Sequence, residues 1–545
     1  MTADHAPAPP DRRYPAPPLR LTAFAPAPTE HVLLPRVASS LFPHLPPRSR
    51  RPFSVALAVL IVALIVFAVL RWQAPLIAVS TLGLPLLFMI YTYQADVAGG
   101  LPARGTLLLT AVLGAGLGVG WALLTGAIVA RANDVALGPG MSRWPILVDG
   151  LVIPLGGAIL MLVPAFVLRV LRPPRRESLD GFIIGSSGAI AFTAATILTL
   201  LAPQFATGLT ADDRPVSVLL VEAGIRGVAM PLTAAAAGGL VGAALWFTRR
   251  ADTLQWLPTL TLAVVVVLVL VLYAALGLID VAPLPQGWQL ALHLAVAVSA
   301  LVALRAGLHV ALLYETPDGG RAARSVRLTS HTRILLSFGA GLVLVLVAAV
   351  AVSAVVTPSA ARYVCPPNCG RPPIGTPVEA TPRFTSSNGD FSVSYPGPTT
   401  AYQATLRPNG LVLDFVGGDT GKLELFGEPA AGRTAKQVAD DLIQQTYPDA
   451  TVDYEIPNAL VGYQLGYGVV ADDYPQDSAG SYARLRVLVM VAVKSGLALV
   501  AAAIGPYHEF SPDFGNGHPS GANLQIAIDM GKYVNSFSWR GDPPR

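Results

Sequence analysis

The sequence predicts a polytopic α-helical membrane bundle of about nine transmembrane helices, followed by a C-terminal extracytoplasmic α+β sandwich domain. Three observations predict this class. The 545 residues are 53% hydrophobic and only 13% charged, whereas soluble globular proteins are about 25% charged. Nine apolar runs each approach the roughly 20 residues needed to cross ~30 Å of hydrocarbon. Alternating strand-like patterns occur in the C-terminal part of the chain.

Residues 1–50 contain twelve prolines. Because proline fixes φ and lacks an amide donor, we expect a disordered, proline-rich cytoplasmic tail. A plain tether is the simplest role, and a polyproline ligand for a partner is the alternative. No cleavable signal peptide is visible, so the first apolar run is expected to act as the targeting signal.

Residues 51–357 form the predicted transmembrane bundle. The sixth run is too long for one straight crossing, and we expect Pro231 to kink it or its first turns to lie outside the bilayer. The predicted spans are Phe53–Leu70, Leu76–Tyr93, Leu107–Ala130, Ile146–Leu171, Leu179–Ala202, Val218–Phe247, Leu257–Ile279, Trp288–Leu313 and Ile334–Val356.

The arginine distribution predicts the orientation of a multi-pass cell-membrane protein. With the N-terminus in the cytoplasm, the inner segments carry 18 arginines and the outer loops four, as the positive-inside rule requires. An odd number of spans then places the C-terminal domain outside. Residues 358–545 hold 13 Lys and Arg against 18 Asp and Glu. This asymmetry follows from membrane orientation and does not indicate nucleic-acid binding.

The two cysteines, Cys365 and Cys369, lie in a Pro-, Gly- and Thr-rich linker at residues 358–383. A cysteine pair in an oxidising space usually forms a disulfide. A four-ligand zinc site would need further ligands, and the linker has no histidine. We therefore expect a disulfide that stiffens the exit from the membrane.

Residues 384–540 form the predicted soluble domain, with the order β-β-β-α-β-β-β-β-α-β and one main antiparallel sheet. Thr434 can cap a helix that runs through Thr446. Ser495 and Gly496 suit a hairpin turn, and a last helix is expected near Gly521–Val534. The predicted strands are Phe391–Tyr395, Leu411–Phe415, Lys422–Phe426, Thr451–Ile456, Gly462–Val470, Tyr482–Val493, Leu497–Ile504 and Ser536–Trp539.

Ionisable residues inside spans are costly and are therefore functional candidates. Glu222 and Arg226 lie four positions apart on one helical face and are expected to form an intramembrane ion pair near the outer leaflet. The pair either locks the helix or belongs to a ligand or ion site. Arg305 and His309 have the same spacing near the inner end of the eighth span, where snorkelling to the interface explains them.

Tyr507, His508 and His518 frame a loop between the last hairpin and the last helix. They could form a ligand site, or the loop could simply be ordered by packing. No nucleophile–base spacing there is diagnostic of catalysis. The chain contains no P-loop, dinucleotide fingerprint or HExxH zinc motif.

Small residues recur at helical spacing in two predicted spans, where they would let backbones approach closely in lipid. Gly181, Gly185 and Ala189 form such a face on the fifth span. The third span carries Gly114, Gly116, Gly118 and Gly120. Packing within the bundle is the simpler role, and a dimer interface is the alternative.

The stretch Glu177–Gly185, which contains Asp180-Gly181, leads into Ala191–Thr196. It resembles the PrsW-type intramembrane metalloproteases, in which a "DGxxYG" helix start leads to "GFxxxEN". Pro145–Asp149 lies where that family has a proline before a Glu-Glu pair, and Pro231–Trp246 is similar to its later "GHAxxxxxxG" helix. His293 falls near the family's last histidine. The resemblance covers residues 140–315 and implies a helical protease scaffold.

The chain departs from that family at the metal-ligand positions. Val148 and Asp149 replace the Glu-Glu pair, Thr196 and Ile197 replace Glu-Asn, and Thr233 replaces the histidine. A catalytic metal needs about three protein ligands and an open position. Asp149 and His293 are weak metal candidates that cannot supply this set alone. We expect a scaffold without catalytic residues and without a cofactor, with zinc only if the protease alternative holds.

The soluble domain resembles the PsbP-like fold, including the LpqN-type lipoproteins of actinobacteria. The residues that carry the likeness are Phe391–Pro396, the helix capped by Thr434, and the closing segment Asn535–Trp539. Members of that fold mostly bind proteins or small ligands. The sequence therefore predicts a non-catalytic membrane protein that presents an extracytoplasmic sensing or binding domain to a protein or small-ligand partner. An active intramembrane metalloprotease and a transporter or channel are the alternatives.

Overall fold

A computed structural model describes most of the chain as a helical bundle followed by a strand-rich domain. Within the described ranges, nine helical segments are long and apolar enough to cross a membrane. The predicted fold class is therefore confirmed in its main outline, which is a series of candidate membrane-spanning helices followed by a C-terminal β-sheet region. The described residues are 41, 47–97, 104–132, 147–171, 178–207, 209–211, 214–247, 257–314, 331–356, 382–397, 400–415, 421–474, 484–506 and 521–542.

The bundle helices follow the predicted apolar runs closely. They are α1 (Pro47–Val69), α2 (Gln73–Val97), α3 (Arg104–Ala132), α4 (Ile153–Leu171), α5 (Ser178–Leu201), α6 (Val216–Gly224), α7 (Met230–Trp246), α8 (Leu257–Val281), α9 (Gln286–Tyr314) and α10 (His331–Val356).

The sixth predicted run consists of α6 and α7, joined by a π-helical turn at Ile225–Ala229. Pro231 has no amide, and its ring would collide with the carbonyl four positions earlier in a regular α-helix. A widened turn relieves this conflict. A second π turn, Val148–Val152, lies just before Pro154 in the same way. The expected irregularity at Pro231 is thus present as a π turn.

Helices α5 and α7 cross with their backbones in close contact at glycines. A Cβ atom added at Gly185 would lie 2.0 Å from the carbonyl oxygen of Gly238, and one at Gly181 would lie 2.2 Å from that of Gly242. On α3, Gly114 packs against the backbone of α5 in this manner, as does Gly118, whereas Gly116 and Gly120 have nothing within 4 Å of an added Cβ. The small-residue faces therefore serve packing within the bundle, and only alternate glycines of α3 take part.

The interior of the bundle consists of α2, α5 and the α6–α7 segment, which are mostly buried. The other helices leave many large apolar side chains exposed, such as Leu123 on α3 and Val355 on α10. An exposed apolar surface of this kind suits contact with lipid. The most buried helices are also those that hold the polar cluster described below.

In its described residues, the C-terminal domain contains twelve strands and two α-helices. A seven-stranded antiparallel sheet has the order β3-β4-β5-β11-β10-β9-β6, and β1-β2-β12 and β7-β8 form two small sheets. The strands are β1 (Arg383–Thr385), β2 (Phe391–Ser394), β3 (Tyr402–Arg407), β4 (Gly410–Phe415), β5 (Lys422–Pro429), β6 (Thr451–Ile456), β7 (Leu460–Val461), β8 (Gln464–Leu465), β9 (Tyr467–Asp473), β10 (Leu485–Lys494), β11 (Leu497–Pro506) and β12 (Ser538–Trp539). The helices are α11 (Ala435–Thr446) and α12 (Gly521–Tyr533).

Both faces of the large sheet are covered. Along β11, Val500 and Ala502 pack with α11 on one face, while Leu499 and Ala501 pack toward α12 on the other. Thr434 caps α11 through a capping box with Gln437, as expected. Ser495 and Gly496 both have positive φ in the β10–β11 hairpin, which suits a type I′ turn.

Three local expectations for this domain were incomplete. Strands β1 and β3 were not predicted. The predicted strand Gly462–Val470 is interrupted, because Gly462 and Tyr463 adopt positive φ and turn the chain between β7 and β8. The last strand is shorter than expected, since Val534–Ser536 forms a 3₁₀ turn.

Candidate functional site

A buried charged cluster forms around Glu222, in the last turn of α6. Glu222 accepts a hydrogen bond from Nη2 of Arg214 at 2.7 Å and one from Nη1 of Arg226 at 3.1 Å. The side chain of Glu222 is 7% exposed, and that of Arg214 is 3% exposed. The structure thus brings together Glu222 and Arg226 and adds Arg214, one of the four arginines between predicted spans on the outer side.

The polar environment of this cluster extends to α2 and to the turn that follows α5. Nε2 of Gln73 donates to Oε1 of Gln204 at 3.0 Å, and both side chains are buried. A cavity of about 10 Å³ separates this amide pair from Arg214 and Glu222. The start of α2 and the distant stretch 204–222 therefore share one polar site inside a mostly apolar bundle.

The arrangement fixes the end of α6 against its neighbours. Charges in a low-dielectric interior attract strongly, but removing either partner leaves the other charge buried and unpaired, which costs about 3–5 kcal/mol. One carboxylate is shared between two guanidinium groups here. The cluster can therefore hold the loop before α6 in place, and it is also the site most suited to a charged ligand.

A second pair, of which only the histidine is fully buried, joins α8 and α9. Nε2 of His293 lies 2.6 Å from Oδ1 of Asp280, and His293 is only 1% exposed. Asp280 was not predicted as a partner, although it ends one helix while His293 lies two turns into the next, antiparallel one. The carboxylate fixes the imidazole ring, so His293 is oriented toward α8.

The two threonines at positions that correspond to metal ligands of the protease family make hydrogen bonds within their own helices. The Thr196 hydroxyl donates to the Phe192 carbonyl at 2.9 Å, and the Thr233 hydroxyl donates to the Ala229 carbonyl at 2.8 Å. Val148 lies in the π turn before α4, and the placement of the Asp149 side chain is not described. Within the described ranges, no group of three or more His, Cys, Asp or Glu residues could hold a metal ion.

Of the second predicted pair, Arg305 is buried in α9, and the side chain of His309 lies outside the described residues. Several other candidate residues also lie outside them. Cys365 and Cys369 lie outside the described residues. So do Tyr507, His508 and His518. The expected disulfide and the expected ligand loop therefore stay predictions.

The sheet domain contacts the bundle at the first residue of α9. The backbone amide of Gln286 donates to Oδ2 of Asp449, and Nε2 of Gln286 donates to the Tyr474 carbonyl at 3.1 Å. Asp449 follows α11 and Tyr474 follows β9. A carboxylate at a helix N-terminus satisfies an otherwise unpaired amide and complements the helix dipole. The sheet domain therefore provides the N-terminal cap of a bundle helix.

An acidic residue with a raised pKa lies beside this contact. Asp473, the last residue of β9, is partly buried, and burial raises its pKa to about 6, assisted by the negative charge of Asp449. The neighbouring Asp472 has a different environment. Burial alone would raise its pKa, but hydrogen bonds from Arg486 and Arg484 lower the pKa below its usual value. A carboxyl group with a raised pKa therefore lies next to the residues that contact α9.

The fold and these sites define a multi-helix membrane protein whose C-terminal sheet domain packs against one end of its bundle. Comparison with models of protein families and with curated protein sequences finds no match to this chain.

Proposed function

We propose that this chain is a non-catalytic, multi-pass cell-membrane protein that presents an extracytoplasmic sensing or binding domain. The observation that carries the proposal is the pair of hydrogen bonds from Gln286 to Asp449 and Tyr474. Through them, a change in the sheet domain acts directly on the start of α9. The bundle would therefore respond to conformational changes of the sheet domain as well as anchoring it.

The orientation in this proposal follows from charge. The arginine bias places the connection between α8 and α9 on the outer side of the membrane. The contact at Gln286 lies at that connection, so the sheet domain would lie outside as well. This agrees with an odd number of spans after a cytoplasmic N-terminus. A PrsW-like bundle and a PsbP-like domain are part of the same proposal.

Strand β6, one of the two edge strands of the large sheet, is the surface best suited to a protein partner. In the described part of the domain, β6 pairs with β9 alone. Its side chains Val452 and Tyr454 are more than half exposed. An unpaired strand edge offers backbone donors and acceptors to an extended peptide, and apolar side chains beside it add specificity. We therefore assign β6 as the binding edge.

Of the two alternatives, the transporter or channel has more support from particular residues. The buried Glu222 cluster is the kind of intramembrane charge that lines ion pathways. The metalloprotease alternative would require ligands other than Thr196 and Thr233. Their hydroxyls donate to carbonyls within their own helices, and a hydroxyl is a poor ligand at neutral pH.

A disulfide trap tests the contact that carries the proposal. Gln286→Cys and Asp449→Cys are combined in full-length protein in which Cys365 and Cys369 are both changed to Ser. Mild oxidation of intact cells should join the two new cysteines. As a matched control, Gln286→Cys with Glu455→Cys should not cross-link, because Glu455 lies roughly 13 Å further along β6 than Thr451.

The same control protein reports the orientation and the binding edge. A membrane-impermeant maleimide should label Glu455→Cys in intact cells. A photo-reactive residue at Tyr454 should cross-link a partner protein, whereas one at the exposed Arg540 should not. Labelling only after permeabilisation, or no disulfide in the Gln286–Asp449 pair, would contradict the proposal.

A further inference from the structure

The cavity beside the charged cluster is lined by both polar and apolar side chains and has the size of a small ligand. Its volume of about 10 Å³ accommodates about one water-sized species. Purely apolar cavities in proteins stay empty, whereas a cavity of this size with unsatisfied polar groups in its wall can hold an occupant. The polar residues that line it are Gln73, Ser80, Gln204, Arg214 and Glu222.

Arg214 is incompletely bonded at this cavity. Its Nη2 donates to Glu222, but Nε and Nη1 are buried and make no hydrogen bond to any residue that the structure describes. Guanidinium N–H groups are strong, permanently charged donors, and leaving them unpaired in the interior is costly. The carboxylate in the lining, that of Glu222, already accepts one hydrogen bond at each oxygen from the two arginines. It therefore leaves Nε and Nη1 of Arg214 without an acceptor among the described residues.

The electrostatics of the site favour a negative occupant. One carboxylate is shared by two guanidinium groups, so these three charged side chains carry a net positive charge. Attraction between an anion and Arg214 is stronger in the low-dielectric interior than in water. A neutral water could accept the two hydrogen bonds, but it would not complement this charge.

We propose that the cavity binds a small monovalent anion of the halide class, such as chloride, which accepts hydrogen bonds from Nε and Nη1 of Arg214. The anion connects α2, the turn after α5, and α6 with the residue Arg214 that precedes it. It completes the polar cluster as a structural ligand and is independent of any partner of the sheet domain.

Anion-dependent melting of full-length protein in detergent tests this site. The melting temperature is measured in chloride and in gluconate at constant ionic strength, because gluconate is too large for the cavity. Chloride should give a saturable rise in the melting temperature, as ligand linkage requires, and gluconate should not. Arg214→Gln should abolish the difference between the two salts, while Arg333→Gln, at the exposed start of α10, should retain it.

A second variant keeps the test decisive if Arg214→Gln does not fold. Gln204→Glu places a covalent carboxylate at the cavity, so its melting temperature in gluconate should match that of the wild type in chloride. Crystals grown in bromide should show an anomalous peak beside Arg214. Equal melting in the two salts, or a buried water only with no bromide signal, would overturn the proposal.

Discussion

The close crossing of α5 and α7 makes Gly185→Ala a sensitive test of the bundle. The added Cβ would lie 2.0 Å from the Gly238 carbonyl oxygen, and real Cβ contacts essentially never fall below 3.0 Å. The opposing atom belongs to a helix backbone and cannot rotate away. The two helices must therefore separate by about 1 Å, because closely packed interiors transmit such a displacement.

The expected cost follows from two opposing effects. Overpacking a tight interior costs about 1–3 kcal/mol, whereas replacing glycine by alanine within a helix contributes about 0.5–1 kcal/mol of stability. We expect Gly185→Ala to lose about 1–2 kcal/mol of unfolding free energy. Gly116→Ala is the matched control, since nothing lies within 4 Å of its added Cβ. It should be neutral or slightly stabilising.

Thermal unfolding of full-length protein in detergent measures both variants. The double variant with Gly242→Ala adds a further check, because Gly242 faces the Gly181 carbonyl at the same crossing. Once one alanine has separated the helices, the second should cost less than it does alone. Equal melting shifts for Gly185→Ala and Gly116→Ala, or strict additivity in the double variant, would refute this account of the packing.

Three other predictions concern orientation, pH and metal. Alkaline phosphatase fused after Ala360 should be active, and an active cytoplasmic reporter at that position would contradict an external C-terminal domain. Because the folded state raises the pKa of Asp473 from 3.8 to about 6, the folded state binds that proton more tightly than the unfolded state. The unfolding free energy should therefore fall as pH rises from about 4 to about 6, and Asp473→Asn should remove this fall in pH-dependent melting curves. Purified protein should lack stoichiometric zinc by elemental analysis, and chelator-sensitive cleavage of a membrane substrate that Asp149→Ala abolishes would restore the protease alternative.

The sequence was most informative where a long pattern repeats. Apolar length located the bundle helices, and residue alternation located most strands of the large sheet. Strand β3 was not predicted, although Tyr402–Arg407 alternates apolar and polar residues as a strand does. Most of its side chains are exposed, so this alternation does not mark a buried face. The π turns depend on how a proline is accommodated within a packed helix, and no local pattern of apolar residues encodes that choice.

The candidate site was predictable only where its partners are close in sequence. The four-residue spacing of Glu222 and Arg226 indicated their pairing. Arg214 lies eight positions from Glu222, outside helical register, and Gln73 and Gln204 are 131 positions apart. Such contacts arise from helix packing. The pairing of Asp280 with His293 could have been predicted, because consecutive antiparallel helices bring their adjoining ends together.

The cap that Asp449 supplies to α9 has a consequence for biosynthesis. The two bonded residues are 163 positions apart, so α9 leaves the ribosome on the order of ten seconds before Asp449 has been made. During that interval the first amide of α9 has only water or lipid headgroups as partners. Its protection from hydrogen exchange would therefore begin when the sheet domain folds and docks, well after the helix has inserted, and would mark the end of assembly.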